Sequence, residues 1–103
     1  DPALAPFLRR FVADKLRQWL ERIQICLSKL TDDQIWLRGG ENSNAVGNLC
    51  LHLCGNLQFF IGAVIGKSGY IRNREAEFAE KNIARKSLLE EIERTKVVLY
   101  EAA

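Results

Sequence analysis

The run Asn44-Ala45-Val46-Gly47-Asn48-Leu49-Cys50-Leu51-His52-Leu53-Cys54-Gly55-Asn56-Leu57-Gln58-Phe59-Phe60-Ile61-Gly62-Ala63-Val64-Ile65 decides the fold. Its apolar side chains Val46, Leu49, Leu53, Leu57, Phe60, Ile61 and Val64 return every three or four positions, the period of one face of an α-helix. The alternation that a strand needs never persists here or elsewhere in the chain, and no hairpin turn signal occurs. Ser43 or Asn44 is expected to cap this helix, which spans about residues 44–65, and Gly66 and Gly69 to end it. The length also suits a membrane span. Asn48, His52, Asn56 and Gln58 interrupt it, however, and such groups are costly in hydrocarbon, so the expectation is a buried bundle helix and no membrane.

Working outward, Leu8, Val12, Leu16, Trp19, Ile23, Leu27 and Leu30 predict another amphipathic helix over about residues 6–30, with Pro6 tolerable only near its start. Arg10, Asp14, Arg17, Glu21 and Arg22 occupy its polar face, while Trp19 and Trp36 are expected to anchor the core. Thr31 can cap a short turn carrying Asp32, Asp33, Ile35 and Trp36, which Gly39-Gly40 then breaks. Residues 66–86 show weak periodicity; Asn73 followed by Arg74-Glu75-Ala76-Glu77-Phe78-Ala79 predicts one or two helical turns, with Phe78 packing down. Ser87-Leu88-Leu89-Glu90 is a capping-box pattern that would open a third long helix. On it Leu88, Ile92, Leu99 and Ala103 share one side, Val97, Val98 and Tyr100 add apolar surface elsewhere, and Glu90 and Arg94 can pair across one turn. The expected fold is all-α: a single up-down helical-bundle domain over residues 1–103, with three long helices and short accessory turns. Three helices can close a core, but four close it better.

The bulk composition agrees. One hundred and three residues with a hydrophobic share of 48% supply one small core. The balance of 15 Lys+Arg against 13 Asp+Glu gives a net charge of only +2, and both signs are scattered. Arg9-Arg10, Arg72/Arg74 and Lys81/Arg85/Lys86 are too short and too interrupted by carboxylates for a nucleic-acid site. Three cysteines make no disulfide framework and fit a reducing, cytoplasmic setting. The chain opens at Asp1 and contains no methionine, as a processed or trimmed chain would.

The only histidine, His52, is the residue placed most suggestively for chemistry. With Asn48 and Asn56 it forms a polar seam at steps of four, at the margin of the apolar stripe. The functional reading is a metal ligand oriented by those neighbouring amides, because a ligating imidazole needs its other nitrogen held. The plainer reading is a boundary histidine bonded to an amide or to the backbone. Cys50 and Cys54 point away from His52 on a helix and cannot share an ion with it; with Cys26 they lack a fourth ligand and any usual zinc spacing. All three thiols are therefore expected to be small buried apolar groups. Ser28, Ser43, Ser68 and Ser87 show no nucleophile motif.

Four stretches carry a resemblance: Leu20-Glu21-Arg22-Ile23; Leu30-Thr31-Asp32-Asp33-Gln34-Ile35-Trp36; Asn42-Ser43-Asn44-Ala45-Val46-Gly47-Asn48-Leu49-Cys50-Leu51-His52-Leu53-Cys54-Gly55-Asn56; and Arg72-Asn73-Arg74-Glu75-Ala76-Glu77-Phe78. Over about residues 4–100 the chain resembles the DinB-like superfamily, and within it an uncharacterised branch. The resemblance implies a four-helix bundle, often dimeric, with a divalent metal held by three histidines. One of these comes from the second helix and two from the fourth. His52 matches the first; the other two have no counterpart, because this chain ends before a fourth helix, which is either lacking or borrowed. Some relatives are transferases or isomerases that use low-molecular-weight thiols, and the family implies no contact with DNA.

Two functions follow as expectations. One is a metal-dependent thiol transferase with an incomplete zinc or nickel site, His52 being one ligand with Asn48 or Asn56 behind it. The other is a non-catalytic helical module that forms a homodimer through an unfilled apolar groove.

Overall fold

The computed structural model describes residues 2–79 and 83–102. Leu4–Ser28 form α1, Asp32–Ile35 α2, Val46–Leu57 α3, Arg74–Glu77 α4 and Arg85–Ala102 α5, and α3 continues directly into a π-helical segment, Gln58–Ile65. No strand occurs among the described residues, and the architecture is an all-α bundle of three long helical rods. Of the positions named above, Asp1, Lys81 and Ala103 lie outside the described residues.

Both α1 and α3 with its π-helical continuation pack on α5, whereas α1 and α3 make little contact with each other. This places the core around α5. Leu20 and Leu27 from α1, Ile35 from α2, Cys54 from α3, and Leu88, Ile92 and Leu99 from α5 are almost wholly buried, each large aliphatic side chain contributing roughly 1.5–3 kcal/mol.

The same arrangement corrects the expected buried stripes. On α1, Leu27 is buried as expected, but Leu8, Val12 and Trp19 are exposed, and Ala13 and Leu20 are buried in their place. The face turned to α5 is sealed, while Leu8 and Val12 line an open groove beside the π-helical segment and α5 and Trp19 stays exposed. Trp19 is thus no core anchor: it is 59% exposed and lies under the Arg22 guanidinium, 4.8 Å from its ring centre. Val46, Leu49, Phe60 and Val64 are exposed as well. Trp36 does anchor, with its ring laid on Gly47, where a Cβ would meet it at 2.7 Å, and its Nε1 donating to the Ile83 carbonyl at 3.2 Å.

Helix ends follow local chemistry, with some differences from expectation. Thr31 caps α2 and forms a full capping box with Gln34, each satisfying a backbone N–H of the other. The residue before α3 is Ala45, not Ser43 or Asn44; its N–H donates to Asn48 Oδ1 at 3.2 Å. After the π-helical segment, Lys67 rather than a glycine takes the first left-handed position (φ 54°), followed by Gly69 at φ 80°. The expected helical turn after Asn73 forms as α4, and Asn73 caps it by accepting from the Ala76 N–H. α5 opens at Arg85, so Ser87 and Glu90 lie within the helix and form no cap. Arg94 pairs with Glu91 at 2.6 Å rather than with Glu90. By length and composition Val46–Ile65 could cross a membrane, and 33% of its most apolar window is buried within the bundle.

Candidate functional site

His52 sits on α3 where α4 crosses it, with its side chain 28% exposed. Its Nδ1 lies 3.1 Å from Glu77 Oε1, and its Nε2 lies 3.4 Å from Asn56 Nδ2. The Phe78 ring packs on the imidazole at 4.8 Å between centroids, so Phe78 does pack down from α4. Asn56, one turn along from His52, is the amide that meets the ring. Asn48 is directed elsewhere: its Nδ2 donates to the Glu77 and Ala79 carbonyls, and its Oδ1 accepts from Ala45 N–H and from Arg38.

Behind His52 the decisive group is Glu77, only 6% exposed. Arg72 reaches it through both ends of the guanidinium fork, Nε to Oε2 at 3.0 Å and Nη2 to Oε1 at 2.9 Å. Burial pushes this carboxyl up, but the hydrogen bonds and charges of Arg72 and His52 outweigh burial, and the group titrates below the ordinary carboxylate range. The approach is possible because the facing position on α3 is Gly55; any side chain there would run into the Glu77 carboxyl. Arg38 completes the scaffold by donating to the Phe78 carbonyl at 3.0 Å. The polar seam on α3 therefore fastens α4 to the bundle and orients one imidazole.

Composition and periodicity give no sign of the roles of Glu77, Arg72 and Gly55. The signal for Arg72 and Glu77 is the Arg72–Phe78 stretch, an acid set among arginines, and Gly55 lies in the Asn42–Asn56 stretch; both stretches carry the family resemblance. A second polar knot has no sequence signal either: Gln58 donates to Glu91 Oε1 at 2.6 Å and to Thr95 Oγ1 at 3.0 Å, tying the π-helical segment to α5.

Two of the three thiols are buried. Burial raises Cys50 to about 11 and Cys54 to about 12, so both stay protonated at neutral pH. Cys26, expected to be buried, is exposed. Among the described residues no group of three or more His, Cys, Asp or Glu side chains converges, and Glu77 is committed to Arg72. The described residues thus assemble no ligand set around His52.

The family model described as a protein of unknown function, DUF1572, matches residues 5–103. The chain belongs to that family. DUF1572 falls in the DinB-like clan, which agrees with the resemblance at the level of the clan and not of any finer branch. No curated protein and no solved structure matches the chain.

Proposed function

We propose that this DUF1572 member is a cytoplasmic, homodimeric, DinB-like protein that contributes one imidazole nitrogen, His52 Nε2, to a zinc or nickel centre whose other ligands come from outside these residues. The centre would serve a small-molecule thiol. One observation carries the reading: the imidazole is held from behind by a buried carboxylate, Glu77, as ligating imidazoles commonly are. A divalent ion bound there would lower the pKa of a coordinated thiol and supply a thiolate nucleophile. The chain's own part is to fix the imidazole and, through Phe78, to cover one face of it.

Metal analysis tests this on protein prepared without chelator. Stoichiometric zinc or nickel, lost in His52→Ala, is the expected result. Absence of both metals, together with identical zinc titrations for the wild type and His52→Ala, would sink the proposal.

A second reading is a non-catalytic module that pairs with another copy of itself. It is favoured by an apolar groove of about 260 Å³ between α1, the π-helical segment and α5, lined by Leu8, Val12, Leu16, Ile61, Ile65 and Leu99. Val97 and Tyr100 on α5 are exposed as well. Sedimentation should then show a dimer that Leu8→Glu converts to monomer; a stable wild-type monomer at micromolar concentration removes this reading.

A further inference from the structure

We infer that Glu77 is the positioning residue of His52: it holds the ring by a proton on Nδ1 and leaves Nε2 as the nitrogen that offers a lone pair. This rests on the reading of His52 as a ligand and adds to it the residue that decides which nitrogen is presented.

Nδ1 stands 3.1 Å from Glu77 Oε1 and 3.1 Å from Arg72 Nη2. It can satisfy only one of them at a time. Carrying a proton, Nδ1 donates to the carboxylate; without one, it accepts from the guanidinium, and the proton moves to Nε2. Three features favour the first state. Arg72 already places Nε and Nη2 on the two Glu77 oxygens, so it loses no partner when Nδ1 is protonated. The carboxylate is buried and ionised, and gains from a further donor. Asn56 turns its Nδ2, a donor, toward Nε2, which calls for an acceptor there. Gly55 supplies the room for the carboxylate, and the Phe78 ring restricts rotation of the imidazole.

The chain contains one histidine, so a long-range proton–nitrogen correlation spectrum of labelled protein shows a single imidazole. In chelated, mildly alkaline buffer the expected signature is a pyrrole-type Nδ1 and a pyridine-type Nε2, that tautomer being favoured by about tenfold or more, as a hydrogen bond to a charged group supports. Glu77→Gln should cut the ratio about tenfold, whereas Glu75→Gln, at an exposed neighbour, should leave it unchanged. A pyridine-type Nδ1 in the wild type overturns the inference without any variant, so a misfolded Glu77→Gln cannot shelter it. An unchanged ratio in folded Glu77→Gln overturns it equally. Adding zinc once the chelator has been removed separates the two claims: the expected tautomer with no movement of Nε2 leaves Glu77's role standing and removes the metal reading.

Discussion

The Glu77 carboxylate occupies the space that a side chain on Gly55 would fill. A glycine inside a helix ordinarily weakens it, by about 0.5–1 kcal/mol relative to alanine. Here the smaller residue is the price of bringing α4 onto α3. Gly55→Ala is therefore expected to destabilise the protein by about 1–3 kcal/mol, the usual range for overpacking, despite the gain in helix propensity. Urea unfolding measures it, and a stabilised variant would show that the carboxylate has no need of that space.

Because Arg72 and His52 hold Glu77 below its ordinary range, the unfolded chain binds a proton at this carboxyl more readily than the folded one. The contribution is fully present above the unfolded value of about 4.3 and is lost as pH falls through the lower folded value. The urea midpoint should accordingly drop in acid, below about pH 4.3, and Glu77→Gln should flatten that limb. Arg72→Met strands a carboxylate that is 7% exposed. It should cost roughly 3 kcal/mol at neutral pH and progressively less in acid. A cost independent of pH would mean that Arg72 acts through packing alone.

The thiols differ by burial. Cys26 is exposed, while Cys50 and Cys54 are buried and held protonated, at about 11 and 12. The thiolate is the reactive form, so at pH 8 a thiol reagent should titrate one group per native chain rapidly and the other two only on unfolding. Cys26→Ser should abolish the rapid phase. Rapid modification of Cys54 would contradict the packing of α3 on α5.

Periodicity was enough to find the three long rods, because a helix that buries one face must repeat apolar residues at 3.6. It could not say which part of a wide stripe meets a neighbour. Leu8, Val12 and Trp19 belong to the stripe on α1 yet stay exposed, since burial depends on where α5 stands and not on α1 alone. The π winding of Gln58–Ile65 was likewise hidden, for it leaves the hydrophobic spacing almost unaltered over so short a run. At the site, His52 was legible because it is single. Glu77 was not, because nothing in a sequence shows that a carboxylate 25 positions away will be buried against a glycine. The Ser87-Leu88-Leu89-Glu90 pattern shows the converse case, in which a good local signal goes unused because α5 begins earlier.

Asn48 illustrates how much of the seam is scaffold. It is 1% exposed, and its amide serves the Ala45 N–H, the Arg38 guanidinium and the Glu77 and Ala79 carbonyls at once. Asn48→Ala leaves these groups unpaired in a buried place and should cost roughly 3 kcal/mol, where unmet buried groups cost about 1–3 kcal/mol each with partial relaxation. Asn56→Ala, at a half-buried position with one long contact to His52, should cost under about 1 kcal/mol. Asn48→Asp is the sharper probe. Its oxygens could still accept from Ala45 and Arg38, but a carboxylate has no proton for the two carbonyls and would be repelled by them. It should therefore fail to rescue stability at neutral pH, as read by chemical denaturation; a variant as stable as wild type would show that the two carbonyl contacts contribute nothing to holding α4.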